Sequence, residues 1–93
     1  MPAAQLERSI EEQPGLRALT QGNEKVFRCP LPGRVISVEV VKGQSVKAGE
    51  EICVLECMKM EQSVRIGRDG IIKSVKIKIN QAITAGAPLL ELQ

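Results

Sequence analysis

From Val26 to the C-terminus the chain alternates between apolar and polar positions. Short runs of Val, Ile and Leu are broken every few residues by Gly, Pro or Asn. Period-two alternation places successive side chains on opposite faces of a strand. It predicts strands over residues 26–29, 34–41, 45–48, 52–57, 60–66, 71–79, 82–84 and 89–92. Within 34–41, Ile36, Val38 and Val40 share one face and Ser37 and Glu39 the other. Within 71–79, Val75, Ile77 and Ile79 oppose Lys76 and Lys78. Between the runs stand Pro30-Leu31-Pro32-Gly33, Lys42-Gly43-Gln44, Gly49-Glu50-Glu51, Gly67-Arg68-Asp69-Gly70, Asn80-Gln81 and Gly86-Ala87-Pro88. Neither proline of the first group can donate to a ladder, so that group is a turn. Gly33, Gly43, Gly49, Gly70 and Gly86 read as structural turn residues. About eight short strands with regular turn signals predict a small all-β sandwich or barrel.

Residues 1–25 carry a different pattern. Leu6 and Ile10 are four apart among Glu7, Arg8, Glu11 and Glu12, which suits a short amphipathic helix over about residues 3–13, ended by Pro14-Gly15. Residues 16–25 read as a loose linker. The apolar stripe is thin, and a helix this short is marginal alone in water. The segment is therefore either a flexible tail or a docking segment for a partner. The predicted organisation is a tail over 1–25 and one domain over 26–93, with the tail dispensable for folding.

The two halves of the domain repeat each other. A shift of 37 lays Gly33-Arg34-Val35-Ile36-Ser37-Val38 on Gly70-Ile71-Ile72-Lys73-Ser74-Val75, and Ala48-Gly49 on Ala85-Gly86, without a gap from 33–56 to 70–93. Gly43 falls on Asn80, and both residue types tolerate a left-handed backbone. The repeat predicts two four-stranded antiparallel units related by a pseudo-twofold axis, each burying the other's apolar face. Lys73 falls where its counterpart is Ile36, which predicts a bulge there or a side chain that reaches out at the sheet edge.

One hairpin breaks the rules of its kind. Between the strands 52–57 and 60–66 only Met58-Lys59 remains for the turn. The favoured two-residue turns need positive φ and normally use Asn-Gly or Gly. Holding other residues there costs about 1–3 kcal/mol each. A function is the natural reason to bear it, and Lys59 is the candidate residue.

Composition narrows the chemistry. Of 93 residues only Phe27 is aromatic, and there is no His, Trp or Tyr. A Ser-His-Asp triad or a His-based metal site cannot be built. The net charge is +2, with residues 1–25 at −1 (three Lys/Arg, four Asp/Glu) and residues 26–93 at +3 (ten against seven). That charge is small and interspersed and lacks stacking aromatics, which argues against nucleic acid as a partner. No run approaches the ~20 apolar residues of a membrane span. Cys29, Cys53 and Cys57 are odd in number and include no CxxC, which points to a cytoplasmic or other reducing compartment. They read as small buried apolar residues.

Glu56-Cys57-Met58-Lys59-Met60-Glu61 resembles the attachment motif of biotinyl domains, the biotin carboxyl carrier proteins of biotin-dependent carboxylases, which usually reads Glu-Ala-Met-Lys-Met-Glu. Pro30-Leu31-Pro32-Gly33 resembles the family's Pro-Met-Pro-Gly turn, and Val46-Lys47-Ala48-Gly49 its Val-Lys-x-Gly turn. The resemblance runs in register over roughly residues 26–93. Cys57 replaces the common Ala, and the gapless repeat leaves no room for the thumb of some acetyl-CoA carboxylase carriers. The resemblance implies a flattened β-barrel, the barrel-sandwich hybrid, with the attachment lysine on a tight hairpin. It implies biotin joined by an amide to Lys59, attached by a biotin protein ligase. Biotin carboxylase would load the ureido ring using ATP and bicarbonate, and a carboxyltransferase would unload it onto an acyl-CoA or related acceptor. The domain would catalyse nothing itself and act as a swinging arm, tethering its cargo at an effective concentration of about mM. Met58 and Met60, with Glu56 and Glu61, would be read by the ligase and partners, although the two glutamates also suit plain solvated strand ends. Two rivals remain: a lipoyl domain, which usually carries Asp-Lys-Ala, and an unmodified adaptor of the same fold.

Overall fold

The computed structural model describes residues 16–22 and 24–93. The helix expected over 3–13 lies outside them. The described residues form nine strands: β1 (Leu16–Arg17), β2 (Val26–Arg28), β3 (Gly33–Val38), β4 (Ser45–Val46), β5 (Glu51–Cys57), β6 (Met60–Arg65), β7 (Gly70–Val75), β8 (Ala82–Ile83) and β9 (Pro88–Leu92). They make two sheets, of order β2-β9-β7-β4 and β1-β6-β5-β3-β8. The fold is all-β, a sandwich whose two apolar inner faces meet in one core.

The repeat is visible in this order. Shifted by 37, β3, β4 and β5 become β7, β8 and β9, while β2 falls on the end of β6. The four strands β2-β9-β7-β4 thus match β6-β5-β3-β8 place for place. Each half lends a short strand to the other's sheet, since β4 pairs with β7 and β8 with β3. The hydrogen bonds repeat as well. The Val35 amide donates to the Gln81 carbonyl at 2.9 Å and the Ile72 amide to the Gln44 carbonyl at 2.9 Å. The Asn80 amide donates to the Val35 carbonyl and the Gly43 amide to the Ile72 carbonyl. Gly43 and Asn80 both turn with positive φ, 90° and 73°.

Both halves also bulge at the same place. Opposite β5, Val35 pairs with Leu55 and Ser37 with Val54, so Ile36 is the extra residue. Opposite β9, Ser74 pairs with Glu91 and Ile72 with Leu92, so Lys73 is extra. Lys73 points to solvent with its ammonium 3.8 Å from Glu91, an exposed pair worth little in stability. The bulge explains why Ile and Lys can exchange here. It also corrects the expected faces, because an extra residue shifts the alternation by one. Val35 and Ile72, ahead of the bulges, are buried, and Ile36 is not a core residue. The last member of the second expected face, Ile79, lies past the end of β7 and is exposed.

The core is aliphatic: Val35, Ile52, Leu55, Val64, Ile66, Ile72, Leu89 and Leu90 are fully enclosed around Phe27. Among the described residues no charged or polar side chain is buried with them.

Within 16–25, expected as a loose linker, residues 16–19 are packed. Leu16 and Arg17 add to the edge of β6 in parallel, opposite Val64 and Arg65. The Ala18 amide donates to the Arg65 carbonyl at 2.9 Å, and Ala18 is buried. Leu19 then exchanges two backbone hydrogen bonds with Arg28 of β2, at 2.8 and 2.7 Å. Four residues thus stitch an edge of one sheet to an edge of the other. Arg68 secures the return. Its guanidinium lies 4.9 Å over the Phe27 ring and donates to the Glu24 carbonyl. The expected pair of four-stranded sheets becomes one of four and one of five, with β1 the single parallel addition.

Candidate functional site

The candidate site is built by β5 and β6. Strand β5 runs between β6 and β3 in the five-stranded sheet. Its end is fixed by full pairing, Glu56 opposite Glu61 and Cys57 opposite Met60. Two residues are left to reverse the chain, Met58 with φ 54° and Lys59 with φ 67°. Two successive left-handed residues match the twist of the flanking strands, which is why such turns close hairpins. Glycine would adopt them at no steric cost, so the sequence here accepts strain in order to present two long side chains.

The opposite side of β5 is held by a close approach. A Cβ on Gly33 would sit 2.6 Å from the Glu56 carbonyl oxygen, so only glycine lets β3 lie this near the base of the hairpin. A Cβ on Gly70 would instead meet the Leu92 side chain at 2.8 Å. Gly33 and Gly70 are therefore the first residues of strands, a correction to their reading as turn residues. Gly43, Gly49 and Gly86 do take positive φ in turns.

At the tip, Met58 is 90% exposed and Met60 62% exposed, and Lys59 between them is exposed. Among the described residues the Lys59 ammonium has no hydrogen-bond or ion-pair partner. Glu61 is exposed and Glu56 half-buried. Glu56 lies directly across from Glu61 on one side and from Arg34 on the other. Like charges opposite each other oppose pairing, so the two glutamates do not stabilise the hairpin. The structure thus brings Glu56, Met58, Lys59, Met60 and Glu61 together at one end of the molecule. The amine stands on an exposed turn, with the Glu56 and Glu61 carboxylates at the ends of the strands that carry it. Such a tip can present an amine to another protein's active site.

The other features lie away from the tip. A groove lined by Arg17, Ala18, Thr20, Phe27, Gly67 and Arg68 opens beyond the far end of β6. The sequence held no periodic signal for it, since β1 is two residues long. The three cysteines are free thiols, with Cys29 and Cys53 buried and Cys57 half-buried. Burial pushes Cys53 up to about 12, with Cys29, Glu51 and Glu39 adding in the same direction. Burial raises Cys29 as well, against the hydrogen bond its Sγ donates to the Leu31 carbonyl at 2.7 Å. Among the described residues no group of three or more His, Cys, Asp or Glu could hold a metal ion. No helix there is long and apolar enough to cross a membrane.

Comparison with known proteins finds a family model, described as biotin-requiring enzyme, matching residues 25–92. The mitochondrial propionyl-CoA carboxylase alpha chain of Homo sapiens is 40% identical over 78 residues, which are 84% of this chain and 11% of that one. The biotin-dependent acyl-coenzyme A carboxylase alpha3 subunit of Mycobacterium leprae is 42% identical over 76 residues, 82% of this chain and 12% of that one. The chain therefore spans about a tenth of the length of these curated relatives. Among solved structures, the lipoyl domain of the 2-oxoglutarate dehydrogenase complex of Azotobacter vinelandii superposes with a TM-score of 0.59 at 25% identity, covering 68% of this chain and 80% of that one.

Proposed function

The chain belongs to the biotin-requiring enzyme family, and from that premise we propose that it is the carboxyl carrier of a biotin-dependent carboxylase, with biotin joined to Lys59. The observation that carries the assignment is the Met58-Lys59 turn, where an exposed amine stands on two left-handed residues between two exposed methionines.

The residues present fit the group. An amide to the Lys59 Nζ needs a primary amine that a ligase can reach and deprotonate at its own site. The hairpin offers that amine at a tip whose base is fixed by β3, β5 and β6. Acylation removes the charge of Lys59 and lengthens its side chain into a neutral arm. When bound, biotin supplies a ureido nitrogen that takes up and gives up a carboxyl group. The chain's own contribution is mechanical. Paired strands hold the base of the arm, and the exposed tip leaves it free to enter two partner sites in turn. The partners on this reading are a biotin protein ligase, a biotin carboxylase and a carboxyltransferase, and the chain itself is not catalytic. The relatives' names favour an acyl-CoA as acceptor. Free thiols at all three cysteines favour a reducing compartment. The packed residues 16–19 favour a carrier domain that begins at Leu16 rather than Val26.

The fold does not choose between biotin and lipoate, since a lipoyl domain shares it. The methionines on both sides of Lys59 choose biotin. The experiment is intact-mass and peptide-mass analysis of the native chain with an avidin blot, beside Lys59→Ala. One biotin on Lys59, and none in a variant with an unchanged melt, is the expected result. Lipoate on Lys59, no modification, or biotin retained in Lys59→Ala would refute the assignment.

A further inference from the structure

We propose that Met58 and Met60 are a peroxide-sensitive modification site, at which oxidation to methionine sulfoxide slows biotin attachment to Lys59. The inference rests on the reading of Lys59 as the attachment residue.

The geometry sorts the sulfur atoms of the described residues by access. A thioether needs no deprotonation to react with a peroxide, so exposure governs its oxidation. Met58 and Met60 are the most accessible, at 90% and 62% exposed. A cysteine reacts as its thiolate. Cys29 and Cys53 are buried, and burial favours their neutral thiols. Cys57 is half-buried, with its Cβ packed beside Gly33. Among the described residues, the two thioethers on either side of the amine are thus the first sulfurs a peroxide meets.

The step balances with a hydroperoxide as the sole co-reactant. The methionine sulfur attacks the terminal peroxide oxygen, an S–O bond forms and the O–O bond breaks. The second oxygen leaves as water or an alcohol after taking up the proton. Sulfur loses two electrons and the peroxide gains two.

The consequence follows from position. Sulfoxide formation turns a flexible apolar chain into a polar one carrying a strong acceptor. A protein that closes over the tip to reach Lys59 must then bury that oxygen, at a cost unless it supplies a donor. Neither methionine belongs to the core, so the fold does not register the change. The modification therefore acts on attachment and leaves the folded state as it was.

The test uses the full, unmodified chain and a biotin protein ligase. The chain is treated with hydrogen peroxide, mapped by peptide mass, and its initial rate of biotin transfer is compared with the untreated chain. Sulfoxide on Met58 and Met60 with a rate about tenfold lower and an unchanged melt is expected, tenfold being one ordinary unsatisfied polar contact. Methionine sulfoxide reductase should restore the rate. In Met58→Leu/Met60→Leu, peroxide should leave that variant's own rate unchanged. Full oxidation at an unaltered rate, no recovery with the reductase, or an equal loss in the double variant overturns the inference and leaves the attachment reading standing. An untreated chain that takes no biotin overturns the attachment reading, and this inference with it.

Discussion

Met58 and Lys59 hold backbone conformations that a hairpin normally reserves for glycine or asparagine. If the strain serves presentation of side chains, removing it should separate stability from function. Met58→Gly should leave the melting temperature unchanged or raise it, while slowing biotin attachment. Met58→Ala and Met60→Ala should likewise hardly move the melt, since both side chains are outside the core. A large loss of stability with normal ligase kinetics would make them packing residues. Gly33 is the opposite case. Its missing Cβ admits the Glu56 carbonyl at a distance no side chain could share. Gly33→Ala forces β3 from β5 and should cost about 1–3 kcal/mol, the usual range for overpacking. In a domain of this size each kcal/mol lowers the melting temperature by about 4–8 °C, so a calorimetric scan decides it.

Among the elements, the strap over residues 16–19 changes most from expectation. Beyond the pairing of β1 with β6, three backbone hydrogen bonds of Ala18 and Leu19 join β6 to β2 across the seam, and Ala18 fills a place in the core. Each such bond contributes about 1 kcal/mol net, offset in part by the chain entropy that the freed segment regains. A chain lacking residues 1–19 should therefore melt earlier by roughly 4–8 °C or more. It should still accept biotin, because the hairpin stands at the other end of β6. Arg68→Ala should give a smaller shift of the same sign, since it removes the stack on Phe27 and the donor to the Glu24 carbonyl. An unchanged melt in the shortened chain would show that the strap rests on the domain without supporting it.

Over residues 26–93 the molecule is two interlocked copies of one unit with an aliphatic core between them. A core of that kind holds cysteine as a neutral, small apolar residue, and this has a pH signature. Cys53 rises in the folded chain from the ordinary 9.0 to about 12, with burial the largest cause. The folded state thus binds that proton more tightly than the unfolded state. Its contribution to stability is complete below pH 9.0, and falls away as the pH climbs from there toward about 12. Thermal melts should be level near pH 8 and decline through that alkaline window. Cys53→Val should decline less steeply, and a variant with the same slope would remove Cys53 as the cause. Alkylation of the native chain at pH 8 should mark Cys57 ahead of Cys29 and Cys53, with the buried pair reacting only on unfolding.

Local pattern alone determined the strand-rich class, the turns at Gly43, Gly49 and Gly86, and the repeat. Those depend on period-two burial and on residues with special backbone freedom, which are read one short window at a time. It also singled out Lys59, because a two-residue hairpin without glycine is a local contradiction. The offset of Lys73 against Ile36 foretold a bulge for the same reason. Tertiary structure decided what depends on distant partners. The bulges moved Val35 and Ile72 into the core, and no periodicity carries across an inserted residue. Leu16–Arg17 became a strand because the edge of β6 was open to it, not because two residues state a preference. The exchange of β4 and β8 between the halves rests on pairs such as Val46 with Gly70 and Gly33 with Ile83, far apart in the chain, where the two sheets must share one core for either to bury its apolar face.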